Sequence, residues 1–141
     1  MAQQKCIFCR IAQGEIPATK LYQDDHVLAF LDVGPLAPGH TLVIPREHYP
    51  CLHDLPADAA AALAHALGPI AQAILAATDA PAYNILNNNG RAAGQLVQHV
   101  HFHIIPRRPG DNLFPDWPAT QYPPGQAEAL AQKIRQNLPK Y

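Results

Sequence analysis

A run of histidines at alternate positions is the feature that most limits how this chain can fold. The segment QHVHFHIIPR, residues 98–107, places His99, His101 and His103 in alternation with apolar residues. Successive side chains of a β-strand point to opposite faces, so a strand here carries all three imidazoles on one face, about 6.6 Å apart. The apolar residues between them then face the core. The pattern predicts a half-buried strand whose polar face serves a function.

The length and charge of the chain exclude several classes of protein. Its 141 residues suffice for one domain with a core but not for two ordinary domains. Ten Lys and Arg against eleven Asp and Glu leave no basic excess of the kind that nucleic-acid or membrane-surface binding requires. We find no signal peptide and no run approaching the about 20 apolar residues of a membrane span. We therefore expect a cytoplasmic protein with neither a nucleic-acid nor a membrane partner.

Hydrophobic periodicity predicts an α+β fold. Helical spacing appears in a short N-terminal segment that ends before Gly14, over residues 58–78 with a kink at Gly68 and Pro69, and in GQAEALAQKIRQNL near the C-terminus. Alternating or short buried patterns predict strands at KLYQ, HVLAFLDV, TLVIP, AYNIL and the histidine segment. We expect a mainly antiparallel sheet of about five strands with the long helix across it.

Two kinds of chemistry suit the histidine row. Three imidazoles can hold a catalytic metal, or one neutral imidazole can attack phosphorus and form a labile phosphoramidate that water cleaves. The preceding loop, NNNGRAAGQ, contains Gly90 and Gly94, which allow main-chain N–H groups to approach an anion closely. This loop favours a phosphate ligand and therefore the nucleophilic alternative.

The cysteines suggest a separate metal site. Three cysteines cannot form a complete disulfide framework, and Cys51 is best explained as a small packed or half-exposed residue. Cys6 and Cys9 have the two-residue spacing with which thiolates share one zinc, and His48 and His99 could complete a Cys2His2 set. A C-x-x-C pair can also be redox-active, so both interpretations stay open on spacing alone.

Several sequence blocks together resemble a known family. The segment HVHFHII matches the pattern His-x-His-x-His-x-x with apolar residues at every x, and CIFCRIAQGEIPATKLYQDD, LAFLDVGPLAPGHTLVIPREH and NNNGRAAGQLVQHVHFHIIPR occur in the family's order. The chain resembles the histidine-triad (HIT) superfamily, most closely its bacterial zinc-containing, Hint-like branch. The resemblance implies a single HIT-like domain over residues 1–141, with motif blocks at 5–107 and a tail with a helix at 108–141.

The same resemblance implies roles for individual residues. His101 is expected to attack the α-phosphate of a nucleotide, with its Nδ1 proton donated to the main-chain carbonyl of the first triad histidine. His103 would contact the phosphate and leaving group, and His40 would support the site from the neighbouring strand. The implied nucleotide-binding residues are Asn88 and Gln95 for phosphate, Asp32 for the ribose, and Ile16, Phe30 and Val33 around the base.

The resemblance also implies a structural zinc on Cys6, Cys9, His48 and His99, and a symmetric homodimer formed through the central helix and the triad-side strands. The expected activity is hydrolysis of nucleoside monophosphate derivatives, such as phosphoramidates or dinucleoside polyphosphates. Leu96 departs from the family, in which Ser or Thr commonly follows the Gly-Gln pair, and Leu cannot donate a hydrogen bond to a leaving group. The alternative is therefore a nucleotide-binding interaction module with vestigial catalysis.

Overall fold

The computed structural model describes residues 5–140. They form a five-stranded sheet with a helix on each face, and a further helix lies near the C-terminus of the chain. The predicted α+β architecture is confirmed, and most predicted elements lie within a few residues of their expected positions. In chain order the elements are α1 (Ile7–Ala12), β1 (Lys20–Gln23), β2 (Val27–Leu31), β3 (Thr41–Pro45), α2 (Ala57–Thr78), β4 (Ala82–Leu86), β5 (Phe102–Arg107) and α3 (Gln126–Asn137).

The sheet has the order β1-β2-β3-β5-β4, and every neighbouring pair of strands is antiparallel. β5, which carries the end of the histidine segment, lies between β3 and β4. Leu42 and Leu86 both pair with His103, one on each side. The position of β5 inside the sheet therefore holds this part of the histidine segment from both edges.

Strands β2 and β3 are buried on both faces. Val27, Ala29 and Val43 pack with the apolar side of α2, whereas Leu28 and Phe30 pack with α1 on the opposite face. Period-two alternation therefore divides the core into two clusters. The α1 face is also the face that carries His103, because His103 follows the apolar Phe102 and precedes the fully buried Ile104 on the α2 side.

The histidine segment is a strand only from Phe102 onward, so the prediction that all three histidines lie on a strand needs correction. Val43 of β3 pairs with Phe102, and β3 ends at Pro45, which has no amide hydrogen for a further ladder bond. The Pro45 carbonyl instead accepts a hydrogen bond of 2.8 Å from Nε2 of His99. The chain before Phe102 is consequently free to bend toward the N-terminal helix.

The three imidazoles nevertheless share one side of the chain, as predicted. Phe8 of α1 packs edge-on against the rings of both His99 and His101, with centroid separations of 5.9 and 5.1 Å. The rings of His101 and His103 lie 5.0 Å apart. Packing against α1, rather than strand pairing alone, therefore aligns the first two histidines.

Helix α2 continues through Pro69, which does not end it. By length and composition alone this helix would suffice to cross a membrane, although the sequence pattern predicts no membrane span. In the fold, Leu63, Ile70 and Ile74 on one side of the helix are buried against the sheet. The core helix of a globular fold meets the same criteria of length and hydropathy.

An ion pair between Arg107 and Asp111 holds the turn that follows β5. Nε of Arg107 lies 2.8 Å from Oδ2 of Asp111, and this guanidinium, together with two main-chain N–H donors, holds the pKa of Asp111 well below its usual range. The guanidinium also lies over the ring of Phe114, 5.5 Å from its centroid. Trp117 is 91% exposed and so neither closes the core nor packs at the histidines.

Candidate functional site

A cavity of about 540 Å³ opens on the α1 face of the sheet. Eight of the nine predicted catalytic and nucleotide-binding residues line it. They come from the turn after α1, from β2 and its end, from the start of β3, from the loop after β4 and from the histidine segment: Ile16, Phe30, Asp32, Val33, His40, Asn88, His101 and His103.

His101 is held in one orientation within this cavity. Its Nδ1 lies 2.8 Å from the main-chain carbonyl of His99, which can only accept a hydrogen bond, so Nδ1 carries the proton. The opposite nitrogen, Nε2, then has a free lone pair. Nδ2 of Asn87 donates to the main-chain carbonyl of His101 at 2.9 Å, which fixes the backbone at this residue. A neutral imidazole with a free Nε2 is the form that can act as a nucleophile.

His103 and His40 form a hydrogen-bonded pair beside His101. Nε2 of His40 lies 2.9 Å from Nδ1 of His103 and 3.5 Å from Oδ2 of Asp32. Burial lowers the pKa of His103 to about 4, and the neighbouring rings of His101 and His40 act in the same direction. Burial also lowers the pKa of His40, against the opposing effect of Asp32. Both rings are therefore uncharged at neutral pH.

Gln95 is not placed with the other predicted phosphate ligands. Its side-chain oxygen accepts from the N–H of Gly90 at 2.8 Å and from the Cys51 thiol at 3.4 Å, and its amide donates to the carbonyl of Pro50 at 2.6 Å. The residue is buried and absent from the cavity lining. These contacts use the side-chain oxygen and one N–H of the amide, so Gln95 shapes the glycine loop. Its predicted contact with phosphate stays a prediction.

The glycine loop presents one polar side chain to the cavity. Gly90 and Gly94 both have φ near +90°, a conformation that other residues rarely adopt. The side chains of Asn87 and Asn89 bond to each other and to the main chain of neighbouring segments. Asn88 alone of this asparagine run faces the cavity, as its predicted role requires.

Two cavity residues outside the predicted set come from apolar positions. Phe114 lines the cavity although it lies beyond the end of the histidine segment at Arg107, and the turn at Arg107 and Asp111 brings it there. Leu96 also lines the cavity and is 91% exposed. No local periodicity marks Phe114, so sequence patterning had no signal for it.

A second cluster lies apart from the cavity, where the thiols of Cys6 and Cys9 meet the Nδ1 atoms of His48 and His99. Sγ of Cys9 lies 3.3 Å from the His48 nitrogen and 3.4 Å from the His99 nitrogen, and the two nitrogens are 3.3 Å apart. Burial first, and then the adjacent Cys6 thiol, raise the pKa of Cys9, while burial lowers the pKa of His99 to about 4.

The dimensions of this cluster suit a tetrahedral zinc ion. Zn–S bonds of about 2.3 Å and Zn–N bonds of about 2.0–2.1 Å separate tetrahedral ligand atoms by roughly 3.3–3.8 Å. Nε2 of His99 donates to the Pro45 carbonyl, so its Nδ1 lone pair faces the thiols, the arrangement that a ligating histidine requires. Among the described residues, no metal-binding cluster combines His99 with His101 or His103. The histidine row is therefore divided between two sites.

Comparison with other proteins identifies the family. A family model described as HIT domain matches residues 13–110. Adenosine 5'-monophosphoramidase hnt1 of Schizosaccharomyces pombe is 41% identical over 135 residues, which are 94% of this chain and 98% of that protein. Adenylylsulfatase HINT3 of Arabidopsis thaliana is 47% identical over 112 residues, which are 79% of this chain but 57% of that protein.

Solved structures agree with this assignment. A HIT family protein from Bacillus subtilis has a TM-score of 0.90 at 40% identity, covering 97% of this chain and 99% of that one. A Zn-bound histidine triad family protein from Mycobacterium smegmatis has a TM-score of 0.74 at 37% identity, covering 96% and 99%. Together with the triad and the cavity that it lines, these matches show that the chain belongs to the histidine-triad (HIT) family.

Proposed function

We propose that this protein is a hydrolase that cleaves nucleoside monophosphate derivatives through a covalent intermediate on His101. The observation that carries the proposal is the anchored Nδ1–H of His101, which leaves Nε2 free inside a cavity large enough for a nucleotide. Related proteins named adenosine 5'-monophosphoramidase and adenylylsulfatase support an adenylyl group joined to a variable leaving group.

The cavity suggests how such a substrate is oriented. The carboxylate of Asp32 can accept hydrogen bonds from ribose hydroxyls, and the apolar side chains of Ile16, Phe30 and Val33 can enclose the base. The α-phosphate then lies near His101 and His103, with the amide of Asn88 on its other side. This arrangement offsets phosphate charge by hydrogen bonds and not by a lysine clamp.

The reaction divides into two displacements at phosphorus. His101 Nε2 donates its lone pair to the α-phosphorus and forms a P–N bond, while the bond between phosphorus and the leaving group breaks. The leaving group departs with the electron pair of the broken bond and takes up a proton from solvent. Water then attacks the phosphorus of the nucleotidyl-imidazole and loses a proton, and the P–N bond breaks. Nucleoside monophosphate is released and the Nε2 lone pair of His101 is restored.

A substrate panel tests the proposal. Adenosine phosphoramidate, adenylyl sulfate and diadenosine polyphosphates, each incubated with the protein, are expected to yield AMP from at least one compound. The exposed Leu96 lies at the cavity, and a Leu96→Ser variant in the same panel is expected to change the relative rates among leaving groups. Tight AMP binding without release of AMP from any compound would replace the hydrolase by a nucleotide-binding module.

Zinc in the Cys2His2 cluster completes the proposed site. Cys6, Cys9, His48 and His99 would hold one ion per chain, and a closed set of four ligands leaves no position for a reacting water. The ion would tie α1 to the segment that carries His101. The Zn-bound relative from Mycobacterium smegmatis supports this assignment. The cytoplasmic location and the absence of a nucleic-acid partner stay predictions.

We also propose a homodimer formed at the β4 edge of the sheet. β4 is an edge strand, and its Tyr83 and Ile85 are about 40% exposed on the side of the sheet that α2 covers. Sedimentation at micromolar concentration is expected to give twice the chain mass of 15.3 kDa. Ile85→Asp should shift the protein toward monomer, because a charge on an edge strand opposes pairing.

Leu21→Asp provides the matched control for the dimer. Leu21 is similarly exposed but lies on β1, the opposite edge of the sheet. This variant is expected to remain dimeric. A monomeric wild-type protein, or dissociation caused by Leu21→Asp and not by Ile85→Asp, would contradict an interface at β4.

A further inference from the structure

Main-chain groups determine which nitrogen carries the proton on the cavity histidines. The His99 carbonyl does this for His101, as described above. A second main-chain group, the amide of Leu36, contacts His40: the Leu36 N–H donates to Nδ1 of His40 at 3.0 Å. A peptide N–H can only donate, so His40 Nδ1 must present its lone pair. In the neutral ring the proton of His40 therefore lies on Nε2.

The position of the proton on His40 determines the position of the proton on His103. His40 Nε2 and His103 Nδ1 are 2.9 Å apart, and a hydrogen bond between two ring nitrogens needs one donor and one acceptor. His40 Nε2 supplies the donor, so His103 Nδ1 accepts and the proton of His103 lies on Nε2. The Asp32 carboxylate at 3.5 Å from His40 Nε2 is also an acceptor and favours the same arrangement.

Hydrogen bonds within residues 32–40 hold the segment that supplies the Leu36 amide. The main-chain N–H of Asp32 donates to the carbonyl of His40 at 2.9 Å, and the N–H of His40 donates to the carbonyl of Ala37 at 3.0 Å. Oδ1 of Asp32 accepts from the N–H of Gly34 at 2.9 Å. His40 itself is 3% exposed, so water has little access to compete for its ring nitrogens. The loop thus holds the amide and the ring in register.

We propose that the main-chain amide of Leu36 selects, through His40, the Nε2–H tautomer of His103, so that His103 donates a hydrogen bond to the reacting phosphate beside the lone pair of His101. Two adjacent imidazoles would then present opposite tautomers to one phosphate, one as nucleophile and one as donor. The opposite tautomer of His103 would direct a second lone pair at an anion. In this arrangement His40 is a positioning residue. The functional half of this inference rests on the proposed hydrolase activity.

NMR of the protein with ¹⁵N-labelled histidine tests the tautomers directly at neutral pH, without substrate. The nitrogen shifts and couplings are expected to show the proton on Nδ1 of His101 and on Nε2 of both His40 and His103. Single histidine substitutions assign the signals. A proton on Nδ1 of His103, or a mixture of its two tautomers, overturns the inference whatever the activity of the protein.

Two substitutions of His40 test the consequence for catalysis. His40→Gln can place an amide N–H near the position of Nε2 and keep the donor to His103, whereas His40→Leu removes it. His40→Leu is expected to give mixed tautomers at His103 and to lower kcat about 10²–10³-fold with little change in KM, the cost of losing one oriented donor to a charged transition state. His40→Gln is expected to recover most of this loss and to keep the Nε2–H signal of His103.

The outcomes separate the inference from the proposed function. Equal kcat losses in the two variants while only His40→Gln retains the Nε2–H tautomer would overturn the catalytic role of that tautomer. If neither variant folds, as judged by thermal melting and the His101 signal, the wild-type spectrum alone decides the inference. The expected wild-type tautomers in a protein that hydrolyses none of the panel would support the tautomer selection and reject the hydrolase.

Discussion

Replacing His101 by alanine is expected to reduce turnover of the nucleotide substrate on the order of 10⁴-fold or more, because the variant has no group that can form the covalent intermediate. Nucleotide binding should persist, since the base, ribose and phosphate contacts come from other cavity residues. Steady-state release of AMP measures the first effect, and calorimetric titration with AMP measures the second. The separation of binding from turnover is what distinguishes a nucleophile from a residue that maintains the cavity.

The intermediate itself can be observed. Wild-type protein quenched during turnover should gain the mass of one nucleotidyl group on the peptide that contains His101, and His101→Ala should not. His26→Ala is a suitable control, because His26 is exposed and does not line the cavity. Near-normal turnover by His101→Ala, or a nucleotidyl group on another residue, would contradict the proposed mechanism.

Removing the zinc is expected to lower the melting temperature by roughly 10 °C. An ion that binds only the folded state stabilises it by about 4 kcal/mol at a free concentration 1,000-fold above Kd, and for a chain of this size each kcal/mol corresponds to roughly 2–4 °C. Cys6→Ala should show this loss, and metal analysis should find about one zinc per wild-type chain and little in the variant. A chelator should produce the same shift in the wild-type protein.

Cys51 supplies a matched control for the zinc prediction. It is the third cysteine of the chain, and its thiol contacts Gln95 and not the Cys2His2 cluster. Cys51→Ala should therefore retain its zinc and most of its thermal stability. Two results would refute the structural site. One is a purified wild-type protein that contains no metal and melts at the same temperature as Cys6→Ala, and the other is zinc bound by His101 and His103. Loss of activity on chelation without a change in melting would instead indicate a catalytic metal.

Local patterns were sufficient for the main elements of the fold. The strands TLVIP and AYNIL occur at the predicted residues, and α2 begins one residue before its expected start. TLVIP is buried throughout, as a short apolar run predicts, and α2 is buried on one side, as its helical spacing predicts. In both segments local preference and tertiary packing point to the same state. The resemblance, carried by several ordered motifs, added the pairing of C-x-x-C with distant histidines, which periodicity cannot supply.

The places where the sequence interpretation needed correction depend on contacts between distant segments. β5 starts at Phe102 because β3, its partner strand, ends at a proline opposite the residues before Phe102. The pairing register of β3 and β5 cannot be seen in the amino-acid pattern of the histidine segment. Gln95 holds the glycine loop because Pro50 and Cys51, more than forty residues away, bond to its side-chain amide, and no local pattern contains those contacts. The contacts of such an amide side chain are decided by the hydrogen-bond partners that folding brings close to it.

The amino-acid sequence by itself determined that this protein has an alternating histidine segment with one polar face, a glycine loop before it, and a thiol pair suited to zinc, because residue type and spacing decide which chemistry is possible. The family resemblance implied how the three imidazoles divide their roles, and only the tertiary structure decided which contacts hold each ring for its role. His99 contacts two thiols, His101 is anchored on a carbonyl, and His103 is reached through His40 from a main-chain amide. Identical side chains differ only in their hydrogen-bond partners, and those partners are brought together by folding.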